Sequence, residues 1–162
     1  MSKRWFGKIV STHGIKGEIK LLSDFAYRER VYTKDFSLYI DEVEYKIKNA
    51  RPHKQYELVL LNDYNNINEV LFLVNKNVYI EESDLQLKEN EYLLEDLIDA
   101  QIKEKNEFLG KITEVLKGER NNFVRVKIKD KDFLIPLIEE YVEYFNKESK
   151  TLYTKNAKSL IL

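Results

Sequence analysis

Most of the chain is a succession of short runs in which apolar and polar residues alternate, the pattern of strands with one buried face. Residues 5–10, 18–22, 37–40, 43–48, 56–61 and 77–80 are rich in aromatic and β-branched side chains, and each is predicted to form a strand. Asp41-Glu42, between two of these runs, predicts a tight hairpin. One segment departs from the alternation. Ile67, Val70, Leu71 and Val74 recur at i, i+3, i+4 and i+7, which predicts a helix with Asn65 or Asn66 as its N-cap. Such a helix would cover one end of a barrel and shield strand edges from other chains.

Residues 81–91 are polar and acidic, and the periodicity lapses there. The expected division is a first domain over 1–83, a linker over 84–90 and a second domain over 91–162. Strand signals resume in the second block. Gly110 sits inside an apolar pattern and predicts a bulge or sharp bend. Val124, Val126 and Ile128 alternate with Arg125, Lys127 and Lys129, the clearest half-buried strand in the sequence. Asp130-Lys131-Asp132 is expected to turn that strand into Phe133-Leu134-Ile135, which Pro136 ends or places at a sheet edge. A helical turn over 137–140 and a hairpin over 142–154, turning around Asn146-Lys147-Glu148-Ser149, complete the reading. The fold class is therefore all-β, mostly strands with short helices, as two small barrels in tandem.

Composition narrows the class. No apolar run approaches the length of a membrane span, and residues 1–5 do not open a secretory signal, so a cytoplasmic protein without membrane contact is expected. With no cysteine, disulfides, thiol catalysis and cysteine-ligated zinc are excluded. The formal net charge of −1 argues against a protein that wraps bare nucleic acid. Charge is uneven, however: residues 1–54 hold 12 Lys/Arg against 7 Asp/Glu, and the remainder 15 against 21. That asymmetry suits phosphate contact at one end and a basic protein partner at the other.

Candidate chemistry is concentrated in His13-Gly14-Ile15-Lys16-Gly17-Glu18-Ile19-Lys20. Two glycines three apart permit positive φ, and His13, Lys16 and Lys20 are expected to project from a loop. Arg51, His53 and Lys54 form a second basic group. Arg4-Trp5-Phe6, Tyr27-Arg28-Glu29-Arg30 and His53-Lys54-Gln55-Tyr56 could stack on and neutralise RNA, although Phe6, Tyr45 and Phe133 are expected in the core. The two histidines are not paired in sequence, and no HExxH, GxSxG or GxxxxGK[ST] motif occurs. No catalytic residue, metal site or cofactor is expected. The competing reading is a β-barrel enzyme that modifies or cleaves RNA, which a spatial cluster of carboxylates would favour.

The ordered motifs resemble one family. Gly7-Lys8-Ile9-Val10 followed by His13 to Glu18 is similar to the N-terminal signature of the ribosome maturation factor RimM family. Ser23-Asp24, Arg51-x-His53-Lys54, Glu91 to Ile98, Gly110-Lys111-Ile112, Leu134 to Ile138 and Ser159-Leu160 follow in the family's order. The resemblance implies a six-stranded barrel related to translation-factor β domains, then a PRC-type barrel. It also implies a non-catalytic, monomeric accessory factor that binds the head of the immature small ribosomal subunit and small-subunit ribosomal protein nineteen, and that assists rRNA processing. On this reading His13, Gly14, Lys16, Gly17, Lys20, Arg51, His53 and Lys54 contact rRNA or the subunit, while Tyr92, Pro136, Leu137 and Tyr141 contact the ribosomal protein. Three positions depart from the family pattern: Leu93 stands where a second tyrosine is usual, Asp99 replaces a glycine, and Glu119-Arg120-Asn121-Asn122 replaces a small-residue loop.

Overall fold

The computed structural model describes residues 2–161, and the chain divides after Gln86 into two compact units. In the first, alternating residues of six strands face one core: β1 (Lys3–His13), β2 (Glu18–Leu22), β3 (Ser37–Ile40), β4 (Val43–His53), β5 (Tyr56–Leu61) and β6 (Asn77–Glu81). They close into a barrel in the order β1-β2-β5-β4-β3-β6, which leaves no free strand edge. Phe6, Ile9, Ile19, Leu21, Leu38, Ile47, Val59, Val78 and Ile80 fill it and are fully buried. Asp41 and Glu42 both adopt positive φ, giving β3 and β4 the tight turn that their sequence predicts. A single helical turn, α1 (Arg28–Val31), lies between β2 and β3.

The helix expected around residues 67–74 does not form as such. Two 3-10 turns, Ile67–Glu69 and Leu71–Leu73, stand in its place. Their hydrogen bonds run from Val70 N to Ile67 O and from Leu73 N to Val70 O. The spacing of three buries Val70 and Leu73 and leaves Leu71 half exposed, so the i+4 position of the sequence pattern faces solvent. Asn66 is the cap, its side chain accepting from Asn68 N at 2.8 Å.

The second unit is a six-stranded sheet of β7 (Gln101–Glu104), β8 (Glu107–Lys117), β9 (Asn122–Ile128), β10 (Lys131–Pro136), β11 (Val142–Asn146) and β12 (Thr151–Thr154). Its order is β10-β9-β8-β7-β12-β11, with β12 parallel to β7 and every other pair antiparallel. The fold is all-β in both units, but only the first is closed by a continuous ladder. In the second, β10 and β11 are the edges, and inward side chains from all six strands wrap one core that includes Ile102, Ile112, Val126, Ile135, Phe145 and Leu152. Pro136 ends an edge strand, where its missing N–H costs no ladder bond.

Inside this core the buried Glu104 accepts from Thr154 Oγ1 at 3.0 Å and from Ala157 N at 2.9 Å, tying the last turn to β7. Two of the pattern departures have a defined setting. Leu93 is buried, 2% exposed. Asp99 sits at φ 68, a left-handed position that Asp tolerates better than most side chains.

Candidate functional site

Antiparallel pairing brings residues from four strands onto one outward patch of the first barrel. His13 pairs with Glu18, Lys20 with Leu58, Leu58 with Arg51, and Tyr56 with His53. Directly paired side chains share a sheet face. The intervening Ile19 and Val59 point inward and are fully buried, so His13, Glu18, Lys20, Tyr56, Leu58, Arg51 and His53 all point outward. Leu58 is nonetheless 0% exposed. Lys20 and Arg51 flank it in register on the two neighbouring strands.

The patch is not the loop expected from the glycines. β1 runs through His13 and β2 starts at Glu18, so His13 and Lys20 belong to strands and only residues 14–17 turn. The reason is register: continuing the ladder to the His13–Glu18 pair satisfies backbone groups that a longer loop would leave to water. Likewise Arg51 and His53 lie within β4, whereas Lys54 sits in the turn to β5 at φ 58. Both turn glycines have positive φ, Gly14 at +66, where a Cβ would meet open space, and Gly17 at +97, where a Cβ would press on the Asn66 backbone. Ile67 N donates to Ile15 O at 2.9 Å, which fastens this turn to the 3-10 segment.

The rings of His13 and His53 lie 4.9 Å apart between centroids. The Lys20 amine stands 5.4 Å from the centre of the Tyr56 ring. Arg51 donates from Nε and Nη2 to the two carboxylate oxygens of Glu18. Those hydrogen bonds hold the Glu18 carboxyl below its ordinary range; desolvation opposes them, while the charges of Arg51, His13 and Lys16 assist. Partial burial pushes His53 down, and the charges of His13, Lys54, Lys20 and Arg51 push it the same way. The shift favours the neutral form of the His53 ring. The Arg51 charge is offset by Glu18, and the amines of Lys16, Lys20 and Lys54 have no ion pair among the described residues.

Such a surface can neutralise phosphates through its amines and accept a base or sugar against Tyr56 and the two imidazoles. Neither Glu18, the partner of Arg51, nor the buried Leu58 between Lys20 and Arg51 was among the candidates expected from the sequence. The signal for Glu18 was its position in the strand alternation, two residues before Lys20.

The residues expected to contact protein share the rim of the second unit's core rather than projecting from it. Tyr92 meets Phe145 edge-on at 6.2 Å, and Leu137 and Tyr141 are partly buried against the same cluster. Pro136 is half-buried at the end of β10. Among the described residues of this unit, the large apolar side chains that are exposed are Ile98, Phe108, Leu134 and Tyr144. The charge argument behind this assignment also changes. The first unit carries 13 Lys/Arg and 13 Asp/Glu and the second 14 and 15, so the acidic excess after residue 54 falls on 55–86, inside the first unit.

Phe6, Tyr45 and Phe133 are buried. Trp5 is 46% exposed, its Nε1 donating to Asn77 Oδ1. Arg4 pairs with Glu82, and Arg30 lies 4.8 Å over the Tyr27 ring. Among the described residues no group of three or more His, Cys, Asp or Glu could hold a metal ion, and no helix is long and apolar enough to cross a membrane.

Comparison with known proteins adds three findings. The family model for the RimM N-terminal domain matches residues 5–85. The ribosome maturation factor RimM of Bacillus subtilis is 34% identical over 172 aligned positions, spanning 99% of each chain, and that of Bacillus mycoides is 37% identical over 91% of this chain and 92% of its own. The solution structure of the N-terminal domain of RimM from Thermus thermophilus aligns with a TM-score of 0.46 at 17% identity, over 52% of this chain and 95% of that one.

Proposed function

The chain belongs to the ribosome maturation factor RimM family, and from that premise we propose that it binds the head of the immature small ribosomal subunit and assists the late folding and processing of its rRNA. The outward patch of the first barrel is the rRNA-facing surface in this reading. One observation carries it: His13, Lys20, Arg51 and His53, distant in sequence, converge on a single outward face with three amines free of ion pairs. Gly14 and Gly17 shape the turn that presents Lys16.

The second unit takes the role of a PRC-type barrel that docks small-subunit ribosomal protein nineteen through Tyr92, Pro136, Leu137 and Tyr141. Because three of those side chains lean on the core, they act as a shaped apolar rim rather than as free anchors. The protein works as a cytoplasmic monomer without cofactor. It contributes no bond-making step; affinity comes from two modules on one chain, the second engaging at a raised effective concentration.

A pull-down from cell extract tests this reading. Immature small subunits are expected to be enriched over mature ones, and loss of the gene is expected to slow growth and accumulate subunits with unprocessed rRNA ends. Equal recovery of mature and immature subunits would contradict it. Incubating the purified protein with naked precursor rRNA, with and without magnesium, is expected to give no cleavage or modification.

A further inference from the structure

The outer face of the second sheet carries a row that none of the motifs above includes. Tyr144 pairs with Tyr153, Tyr153 with Lys103, and Lys103 with Phe108, so these four side chains lie side by side across β11, β12, β7 and β8. They face outward, because Ile102, Phe145 and Leu152 beside them point into the core. Tyr144 is 41% and Phe108 50% exposed. The two tyrosine rings are stacked, 4.6 Å between centroids and 15° between planes.

The next register row continues the face with amines. Gln101 pairs with Lys111, and Lys111 with Lys127. Phe108 also walls a cavity of about 400 Å³ whose lining includes Lys129 and Lys131. None of these five lysines has an ion pair among the described residues. The nearby carboxylates do not cancel them: Asp132 stands opposite Lys127 in register without bonding it, and Glu107 is held by Lys158 at 2.9 Å. Asp130 lines the same cavity between Lys129 and Lys131 without an ion pair among the described residues, and Glu143 lies next to Tyr144, whose phenol is raised above its ordinary range by burial, by Tyr153 and by the Glu143 charge.

We propose that this face binds single-stranded RNA, the aromatic row stacking unpaired bases while the adjacent lysines neutralise the phosphates between them. Three steps between neighbouring strands make the row roughly 14 Å long, enough for two or three bases. Charge selects the occupant. A basic ribosomal protein would meet five uncompensated amines, whereas an RNA strand supplies an anion at every residue and a π-face for every ring. The proposal extends the maturation-factor reading to the second unit and rests on it only for the source of the strand.

The test titrates the full chain with a fluorescein-labelled single-stranded RNA 12-mer of mixed sequence, and with a hairpin of the same composition. The wild type is expected to prefer the single strand. F108S with Y144S should weaken that binding about tenfold or more, while Y144F should retain it. K103Q with K111Q and K127Q should flatten the salt dependence by about two units of slope. A wild type that does not bind the single strand, or serine variants that bind it unchanged with native circular dichroism, would overturn the proposal. So would variants that keep RNA binding but lose affinity for a purified basic small-subunit ribosomal protein. Co-sedimentation with immature subunits reads the maturation role separately, so this face can fail while that role stands.

Discussion

Arg51 donates to both carboxylate oxygens of Glu18, at 2.9 Å each, across the strand that separates them. The pair spends a guanidinium that sequence reasoning had offered to RNA. E18Q is therefore expected to strengthen binding of an RNA polyanion and to steepen its salt dependence by roughly one unit, since one more cation becomes available. Fluorescence anisotropy over a salt series checks this. The pair also has a pH signature. The folded carboxyl titrates below the ordinary 4.5, so its stabilisation is present above that value and is lost as pH falls through the lowered one. E18Q should lack this acid loss in thermal unfolding curves.

His53 gives a second pH effect, of opposite use. Partial burial and the charges of His13, Lys54, Lys20 and Arg51 hold it below the ordinary 6.5. Between the lowered value and 6.5 the unfolded chain binds more protons than the folded one, so acidification through this window costs stability. A bound polyanion would favour the charged ring and reverse the balance. RNA affinity is expected to rise several-fold from pH 7.5 to pH 6, with proton uptake on binding, and H53A should flatten that rise. Calorimetry in buffers of different ionisation enthalpy measures the uptake.

The two turn glycines should respond differently to alanine. A Cβ at Gly14 would meet nothing, so G14A bears only the left-handed backbone, about 1 kcal/mol. At Gly17 a Cβ would stand 3.1 Å from Asn66 N and 3.4 Å from Asn66 O, in addition to the strain of φ +97. G17A is expected to lose more stability than G14A and to loosen the Ile15–Ile67 hydrogen bond, visible as faster amide exchange at Ile67.

How far the sequence could be read follows from what each signal encodes. Strand alternation located Glu18–Leu22 and Tyr56–Leu61 at their ends, because burial of one face fixes a period of two. It did not encode that β2 and β4 each lie beside β5, and so could not pair Glu18 with Arg51. The spacing of Ile67, Val70, Leu71 and Val74 fits a helix, yet the segment is short and fastened by Asn66 and Ile15, which favours 3-10 bonding. The overlooked Tyr144–Tyr153 stack depends on pairing within one hairpin, and Phe108 joins their row only through a parallel strand that no local pattern announces.

Placing Tyr92 against Phe145 gives its truncation a defined consequence. Y92A should lower stability by roughly 2 kcal/mol through lost packing, whatever it does to partner binding. Y92F, which keeps the ring, should restore stability. Chemical denaturation of the two variants separates the structural share of Tyr92 from any recognition share.

The proposed function requires the outward patch of the first barrel to meet the immature subunit. The most direct measurement is co-sedimentation of purified protein with purified immature small subunits over a salt series, comparing wild type with K16A/K20A. Lys16 is exposed in the turn, and Lys20 stands half-buried beside Tyr56 on the outer face, so the double variant should keep the fold. The expected result is weaker binding at every salt concentration and a slope shallower by about two units, one for each lost amine. Binding by a natively folded K16A/K20A that matches wild type in affinity and slope would contradict the account.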